Sequence, residues 1–314
     1  MGLEICTLIT PLMLLGAPAA GLPVILDTDI GDDIDDTWAL GLLLGCPEVE
    51  VKLVVTDYGN TPEKTRLVAK MLDTLGRTDV PIGMGIKTND KALNQQAWLE
   101  GYDLASYKGT IHKDGVQALI DTINAAPEPI TLLTIGPVPN IKAALERDPG
   151  IAKKARVVAM AGSVYQGYGE KPKPACPEWN VRADVASYRA LFAAPWSVTI
   201  TPLDGCGQMI LRGERYARVA NSDAPLARVV MENYNAWVHR SRHPADASSV
   251  LFDTVAMYLA FDDSFCEMKD LKLSIADDGK TVPDDNGRPV RCHLGWKDRD
   301  AFEELLVNAL TKSP

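Results

Sequence analysis

Two kinds of hydrophobic run alternate along the chain. Short continuous apolar stretches read as buried strands: Val24-Ile25-Leu26, Val49 to Thr56, Val80 to Met84, Ile130 to Ile135, Ala155 to Met160 and Trp196 to Leu203. Between them, apolar residues at helical spacing predict helices from Thr37 onward, over Pro62 to Leu75, Gly115 to Ala126, Pro139 to Arg147 and Asp184 to Ala194. Pro139 suits a first helical position, where its missing N–H would have had no partner. After Leu203 the pattern changes. Leu211 to Val219, Ala224 to Arg240, Ser248 to Ala260 and Ala301 to Leu310 all read as helices. Strands alternating with helices predict a single large α/β domain, with a mostly parallel twisted sheet flanked by helices. Active sites of such sheets lie at the carboxyl ends of the strands. Trp98 to Asp114 is polar and aromatic without a period and reads as a flexible loop over a site. Gly162 to Pro177 is a Gly- and Pro-rich loop.

Composition narrows this picture. A chain of 314 residues that is 46% hydrophobic can bury a full core. Its net charge of −10 argues against a nucleic-acid partner, although not against a small ligand without phosphate. Residues 1–21 form either a cleaved signal peptide or an N-terminal extension. Leu8 to Leu15 is apolar and Ala17-Pro18-Ala19-Ala20 offers a small-residue cleavage site, but the leader Met1-Gly2-Leu3-Glu4 lacks Lys and Arg. With a signal the protein is periplasmic or secreted, and without one cytoplasmic. The stretch is too short to span a bilayer, so no membrane partner is expected. The folded domain is expected over 22–314. The six cysteines contain no C-x-x-C pair and read mostly as small buried hydrophobes.

The candidate chemistry begins at the end of the first strand. Asp27, Asp29, Asp32, Asp33, Asp35 and Asp36 fall within ten positions, in a strand-to-helix turn. Acids do cap helix starts. Six exceed what the free N–H groups of one first turn can hold. A hard cation, Ca²⁺ or Mg²⁺, relieves their repulsion. An EF-hand loop counted from Asp27 fails, because its fifth position is Gly31 and its twelfth Trp38. Asp27-Thr28-Asp29 is also compatible with a phosphohydrolase of the haloacid dehalogenase type, with Asp27 as nucleophile and Mg²⁺, although Ile30-Gly31 replaces the usual Gly-Thr.

Further motifs follow in order: Gly59-Asn60-Thr61, Ile135-Gly136-Pro137-Val138-Pro139-Asn140-Ile141, Met160-Ala161-Gly162-Ser163, Glu178-Trp179-Asn180 with Asp184, and Phe252-Asp253. Together with the acidic turn, they resemble the inosine/uridine-preferring nucleoside hydrolase family over nearly the whole chain after residue 22. The resemblance implies a Rossmann-like core with a mixed sheet. It implies Ca²⁺-dependent hydrolysis of the N-glycosidic bond of a ribonucleoside by metal-activated water, and assembly as a dimer or tetramer. Position by position, it implies metal ligation by Asp29, Asp36, Asp253 and the Ile135 carbonyl. It implies a general base at Asp35 if the turn is anchored on its helix, or at Asp33 if counted from Asp29, since this turn is two residues longer than the shortest family form. Asn60, Glu178 and Asn180 match ribose contacts. Met160, Trp179 and Phe252 complete the substrate site.

Two departures bear on function. Phe252 stands where many family members place a proton-donating His, and resembles instead the branch that stacks an aromatic residue on the base, with Tyr165, Tyr168, Trp98 and Trp179 available to add stacking. The Gly162 to Pro177 loop lacks an Asn that the family often carries. His239 and His243 share an i, i+4 spacing but match no motif. These departures leave a second alternative, a non-catalytic Ca²⁺-dependent nucleoside- or sugar-binding protein.

Overall fold

The computed structural model describes residues 21–169, 171 and 173–312. The proposed signal or extension therefore lies outside the described residues. The chain runs β1 (Leu22–Thr28), α1 (Asp35–Gly45), β2 (Val49–Thr56), α2 (Thr61–Thr74), β3 (Ile82–Met84), β4 (Ile111–His112), α3 (Gly115–Ala125), β5 (Ile130–Thr134), α4 (Pro139–Arg147), β6 (Ala155–Met160), α5 (Trp179–Ala183) and α6 (Val185–Ala193). It continues with β7 (Val198–Thr201), α7 (Leu203–Cys206), α8 (Gly213–Ala220), α9 (Pro225–Ala236), α10 (Phe252–Leu259), β8 (Cys266–Ile275), β9 (Thr281–Pro283), β10 (Arg288–Trp296) and α11 (Arg299–Thr311).

The described strands join one sheet in the order β4-β3-β2-β1-β5-β6-β7-β10-β8-β9. Every pairing from β4 across to β10 is parallel. The β10–β8 and β8–β9 pairings are antiparallel. The continuous apolar runs are explained by helices on both faces. Successive side chains point to opposite sides, so Val24, Leu26 and Val54 join a core with Trp38, Leu67 and Met257, while Ile25, Leu53 and Val55 join another with Leu119, Ile141 and Val157.

The strand order steps away from β1 in one direction through β2, β3 and β4, and in the other through β5, β6 and β7. Connections leaving β1 and β5 therefore diverge and open a crevice at their carboxyl ends. Asp27 pairs with Thr134, which brings Asp29 beside Ile135 and Gly136. The approach is close: a Cβ on Gly136 would sit 3.1 Å from Asp29 and from Asp57 Oδ2.

Two expectations need correction. The segment after α10 is not helix alone, because β8, β9 and β10 form the polar sheet margin. Its charged, half-exposed pattern suits an edge and lacks a continuous apolar run. Nor is Trp98 to Asp114 a loose cover. Arg66 donates to the Leu99 and Tyr102 carbonyls, Lys70 donates to the Trp98 carbonyl, and Trp98, Leu99 and Tyr107 are buried.

Candidate active site

The acidic turn is shaped by its apolar residues. Ile30 and Ile34 are both fully buried and pin the turn at each end. Asp29, Asp35 and Asp36 are carried inward, while Asp32 is half-buried and Asp33 exposed. Thr28 Oγ1 accepts from Ile30 N at 3.1 Å and donates to Asp36 Oδ1 at 2.5 Å. Asp35 and Asp36 open α1, where the helix dipole favours negative charge. Asp253 arrives from the first turn of α10. Carboxylate oxygens of Asp35, Asp36 and Asp253 all lie within 4.8 Å of one another, and all three residues are buried.

Burial, then neighbouring acids, pushes the carboxyls of Asp35, Asp36 and Asp253 well above their ordinary range. Burial pushes Asp29 up to about 7, against the opposing pull of Lys64. Lys64 is a fully buried cation on α2, and it is spoken for: it donates to the Asp29 carbonyl and, at 2.8 Å, to Asp32 Oδ2. The trio thus has oxygen donors, burial and like charge, with no ion pair to it among the described residues, a donor set that fits a hard divalent cation.

Above the trio lies a cleft with about 450 Å³ of empty space, part of it open to solvent. It is lined by Asp29, Asp32, Asp33, Asp35, Asp36, Ile135, Met160, Tyr168, Glu178, Trp179, Asn180, Phe252 and Asp253. Asn180 Nδ2 donates to the Ile135 and Met160 carbonyls, at 3.2 Å each, and so ties the ends of β5 and β6 together. Glu178 caps α5. Its carboxylate accepts from Gly162 N (3.0 Å), Asn180 N (2.8 Å), Val181 N (3.2 Å) and the Tyr168 hydroxyl (3.3 Å).

Of the residues expected from sequence, Asn60 and the two candidate stacking rings Trp98 and Tyr165 lie outside the cleft lining. Positive φ at Tyr58 and Gly59 turns the chain away, and Asn60 Nδ2 donates to the Lys91 carbonyl. Asp35 stands in the trio with Asp36 and Asp253, whereas Asp29 lines the cleft outside it. Asp33 sits at the rim and accepts from Ile34 N. Asp27 is fully buried, held by Asn140 Nδ2 at 2.7 Å, and does not reach the cleft, which removes it as a phosphohydrolase nucleophile. Its other oxygen and Asp57 Oδ1 have no hydrogen-bond partner among the described residues, and burial pushes the Asp27 carboxyl up to about 7. His239 and His243 flank a short turn and pack on Trp237, outside the cleft lining.

Sequence reasoning missed Lys64, Asp57 and Asn140. Lys64 carried a signal, since it shares the apolar face of α2 with Leu67, Val68 and Met71.

Comparison with known proteins agrees with this geometry. A family model described as inosine-uridine preferring nucleoside hydrolase matches residues 24–304. A pyrimidine-specific ribonucleoside hydrolase, RihA, of Citrobacter koseri is 31% identical over 222 residues, covering 67% of this chain and 69% of the relative. The inosine-uridine preferring nucleoside hydrolase of Crithidia fasciculata is 29% identical over 315 residues, covering 92% and 97%. Among solved structures, the plant nucleoside hydrolase PpNRh1 superimposes with a TM-score of 0.79 at 25% identity, covering 92% of this chain and 99% of the other.

Proposed function

This chain belongs to the inosine-uridine preferring nucleoside hydrolase family, and from that premise we propose a Ca²⁺-dependent hydrolase acting on a ribonucleoside. It cleaves the N-glycosidic bond to give ribose and free base. The observation that carries the reading is the buried trio Asp35, Asp36 and Asp253 at the floor of a cleft that also presents Glu178 and Asn180.

Asp36 and Asp253 would hold the cation, with Asp29 and the Ile135 carbonyl as further oxygen donors. A divalent cation, when bound, supplies acidification of water and oxygen affinity for sugar hydroxyls. Asp35 accepts the water's proton. The carboxylates beneath the sugar favour the positive charge that develops on it as the bond breaks. Asn180 and Glu178 orient the ribose. Phe252 has no proton to give, so it assists the departing base through its ring face.

Carboxylate oxygens of Asp35, Asp36 and Asp253 lie within 4.8 Å of one another, close enough to share one cation, and this favours a second assignment, with Asp35 as ligand and Asp29 as base. Asp35→Asn and Asp29→Asn separate the two. Loss of the base lowers kcat and leaves calcium affinity intact. Loss of a ligand weakens calcium binding measured by calorimetry.

A nucleoside panel assayed for ribose release, with and without chelator, tests the function. Turnover unaffected by chelator would remove the cation from the reading. Ribose binding without turnover of any nucleoside would support a binding protein instead. We also propose assembly as a dimer or tetramer, checked by light scattering. Export by the N-terminal segment is checked by the mass of the mature chain in its native host.

A further inference from the structure

We propose that Tyr168 is a substrate-binding residue of this cleft, its hydroxyl working with Glu178 on a sugar hydroxyl and its ring walling the side where the base departs. The inference rests on the nucleoside hydrolase reading above. Among the described residues of the loop between β6 and α5, residues 162–177, Tyr168 is the one that reaches the cleft lining, together with Glu178 and Phe252.

The hydrogen bonds of Tyr168 leave room for a ligand. Its oxygen accepts from Trp179 N at 2.8 Å and donates to Glu178 Oε1 at 3.3 Å. A phenol has one donor and two acceptor positions, so one acceptor position remains. The other three bonds to Glu178 come from backbone N–H groups fixed by the fold. The Tyr168 bond is the longest and comes from a side chain. A sugar hydroxyl therefore enters by donating to the Tyr168 oxygen, or by taking its place on Oε1. Burial keeps the phenol above its ordinary range and so neutral, as a donor requires.

The ring stands edge-on to Phe252, with centroids 6.0 Å apart and planes at 85°. Together they offer two aromatic surfaces to a flat leaving group. The loop is held firmly enough to place this residue. Asp204 accepts from the N–H groups of Val164, Tyr165 and Gln166 at 2.9, 2.8 and 3.2 Å, and Gly167 N donates to the Lys173 carbonyl at 3.0 Å.

The test compares Tyr168→Phe and Tyr168→Ala with the wild type in saturating calcium. Calorimetry measures D-ribose binding. Steady-state kinetics uses ribonucleosides of several bases and their 2′-, 3′- and 5′-deoxy analogues. Tyr168→Phe is expected to weaken D-ribose about three- to tenfold, the worth of one neutral hydrogen bond. It should shrink the penalty for removing one particular sugar hydroxyl and leave relative rates among bases unchanged. Tyr168→Ala should also alter the relative rates among bases. Wild-type ribose affinity in Tyr168→Phe would overturn the proposal. So would an equal loss on every analogue accompanied by a lowered melting temperature, which marks a purely structural prop. Should the wild type cleave no nucleoside, the hydrolase reading fails, and the ribose titration still decides the role of Tyr168.

Discussion

Replacing Asp253 with Asn should stabilise the calcium-free protein while destroying its response to calcium. Carboxylate oxygens of Asp35, Asp36 and Asp253 lie within 4.8 Å of one another. At an effective dielectric constant of about 20, each fully ionised pair at that separation costs about 3.5 kcal/mol. Three such pairs cost about 10 kcal/mol, as much as the whole stability of a typical domain. Without a cation the cluster must therefore retain protons, which is the direction in which burial and mutual repulsion push all three groups. Asp253→Asn removes the charge from two of the three pairs. Its amide can donate to Asp35, where two carboxyls now contend. Because retained protons already relieve part of the repulsion, the expected gain is about 1–3 kcal/mol near pH 8, or roughly 2–6 °C in melting temperature for a chain of this length. Calcium at about a hundred times its Kd should raise the wild type by about 2.7 kcal/mol. The variant should gain far less and lose catalytic activity at least about a hundredfold. Differential scanning fluorimetry in chelator and in calcium reads both effects. A variant that melts below the wild type in chelator, or gains equally from calcium, would refute the electrostatic account of the cluster.

In chelator, melting temperature should fall as pH rises. Asp27 and Asp29 sit at about 7 in the fold against an ordinary 3.8, so the folded state binds their protons more tightly; that stabilisation is complete below 3.8 and lost as pH rises through about 7. Saturating calcium should flatten the Asp29 part of the profile, and a melting temperature that climbs with pH in chelator would contradict the assignment. Lys64→Met should cost about 1–3 kcal/mol, because it strips the donor from the buried Asp29 carbonyl, whereas Asp32→Asn at the half-exposed end of the same pair should cost under about 1 kcal/mol; equal denaturant midpoints for the two variants would sink this ranking. Phe252→Leu keeps the apolar bulk and loses the ring face, so kcat/KM for nucleosides should drop about three- to tenfold, and an unchanged value would remove stacking from the mechanism.

The parallel half of the fold was legible because its strands are buried on both faces. The run Ile130 to Ile135 contains β5, and Val49 to Thr56 is β2 itself. The hairpin of β8 and β10 was not legible for the opposite reason. Met268, Leu271 and Leu273 alternate irregularly with charged neighbours, and the pairing that makes them a strand comes from His293, Val290 and Arg288, well beyond the reach of a local pattern. Trp98 to Asp114 misled in another way. Its polarity is real, but Arg66 and Lys70 reach across from α2 to bond its carbonyls, and helical spacing says nothing of where a long side chain ends. Motif order did not show that Asn60 lies outside the cleft lining, with its Nδ2 donating to the Lys91 carbonyl.

The acidic turn shows why counting acids left Asp33 and Asp35 in competition. The deciding residues are not acids. Ile30 and Ile34 are the two points at which the turn enters the core, and whatever follows Ile34 must start α1 inside the cleft. Between them, Gly31, Asp32 and Asp33 arch outward. Gly31 takes a φ of +111°, a value that suits glycine. Asn94 Nδ2 and Gln95 Nε2 donate to the carbonyls of Asp32 and Asp33 at 2.7 and 2.8 Å. An arch of acids above a buried acidic trio would add repulsion unless something offset it, and Lys64 does so from below, bonded at once to Asp32 and to the Asp29 carbonyl. The longer turn and the lysine on the apolar face of α2 are thus two halves of one device. The length of the turn stood out in the sequence and the lysine did not, yet each supplies the physical reason for the other.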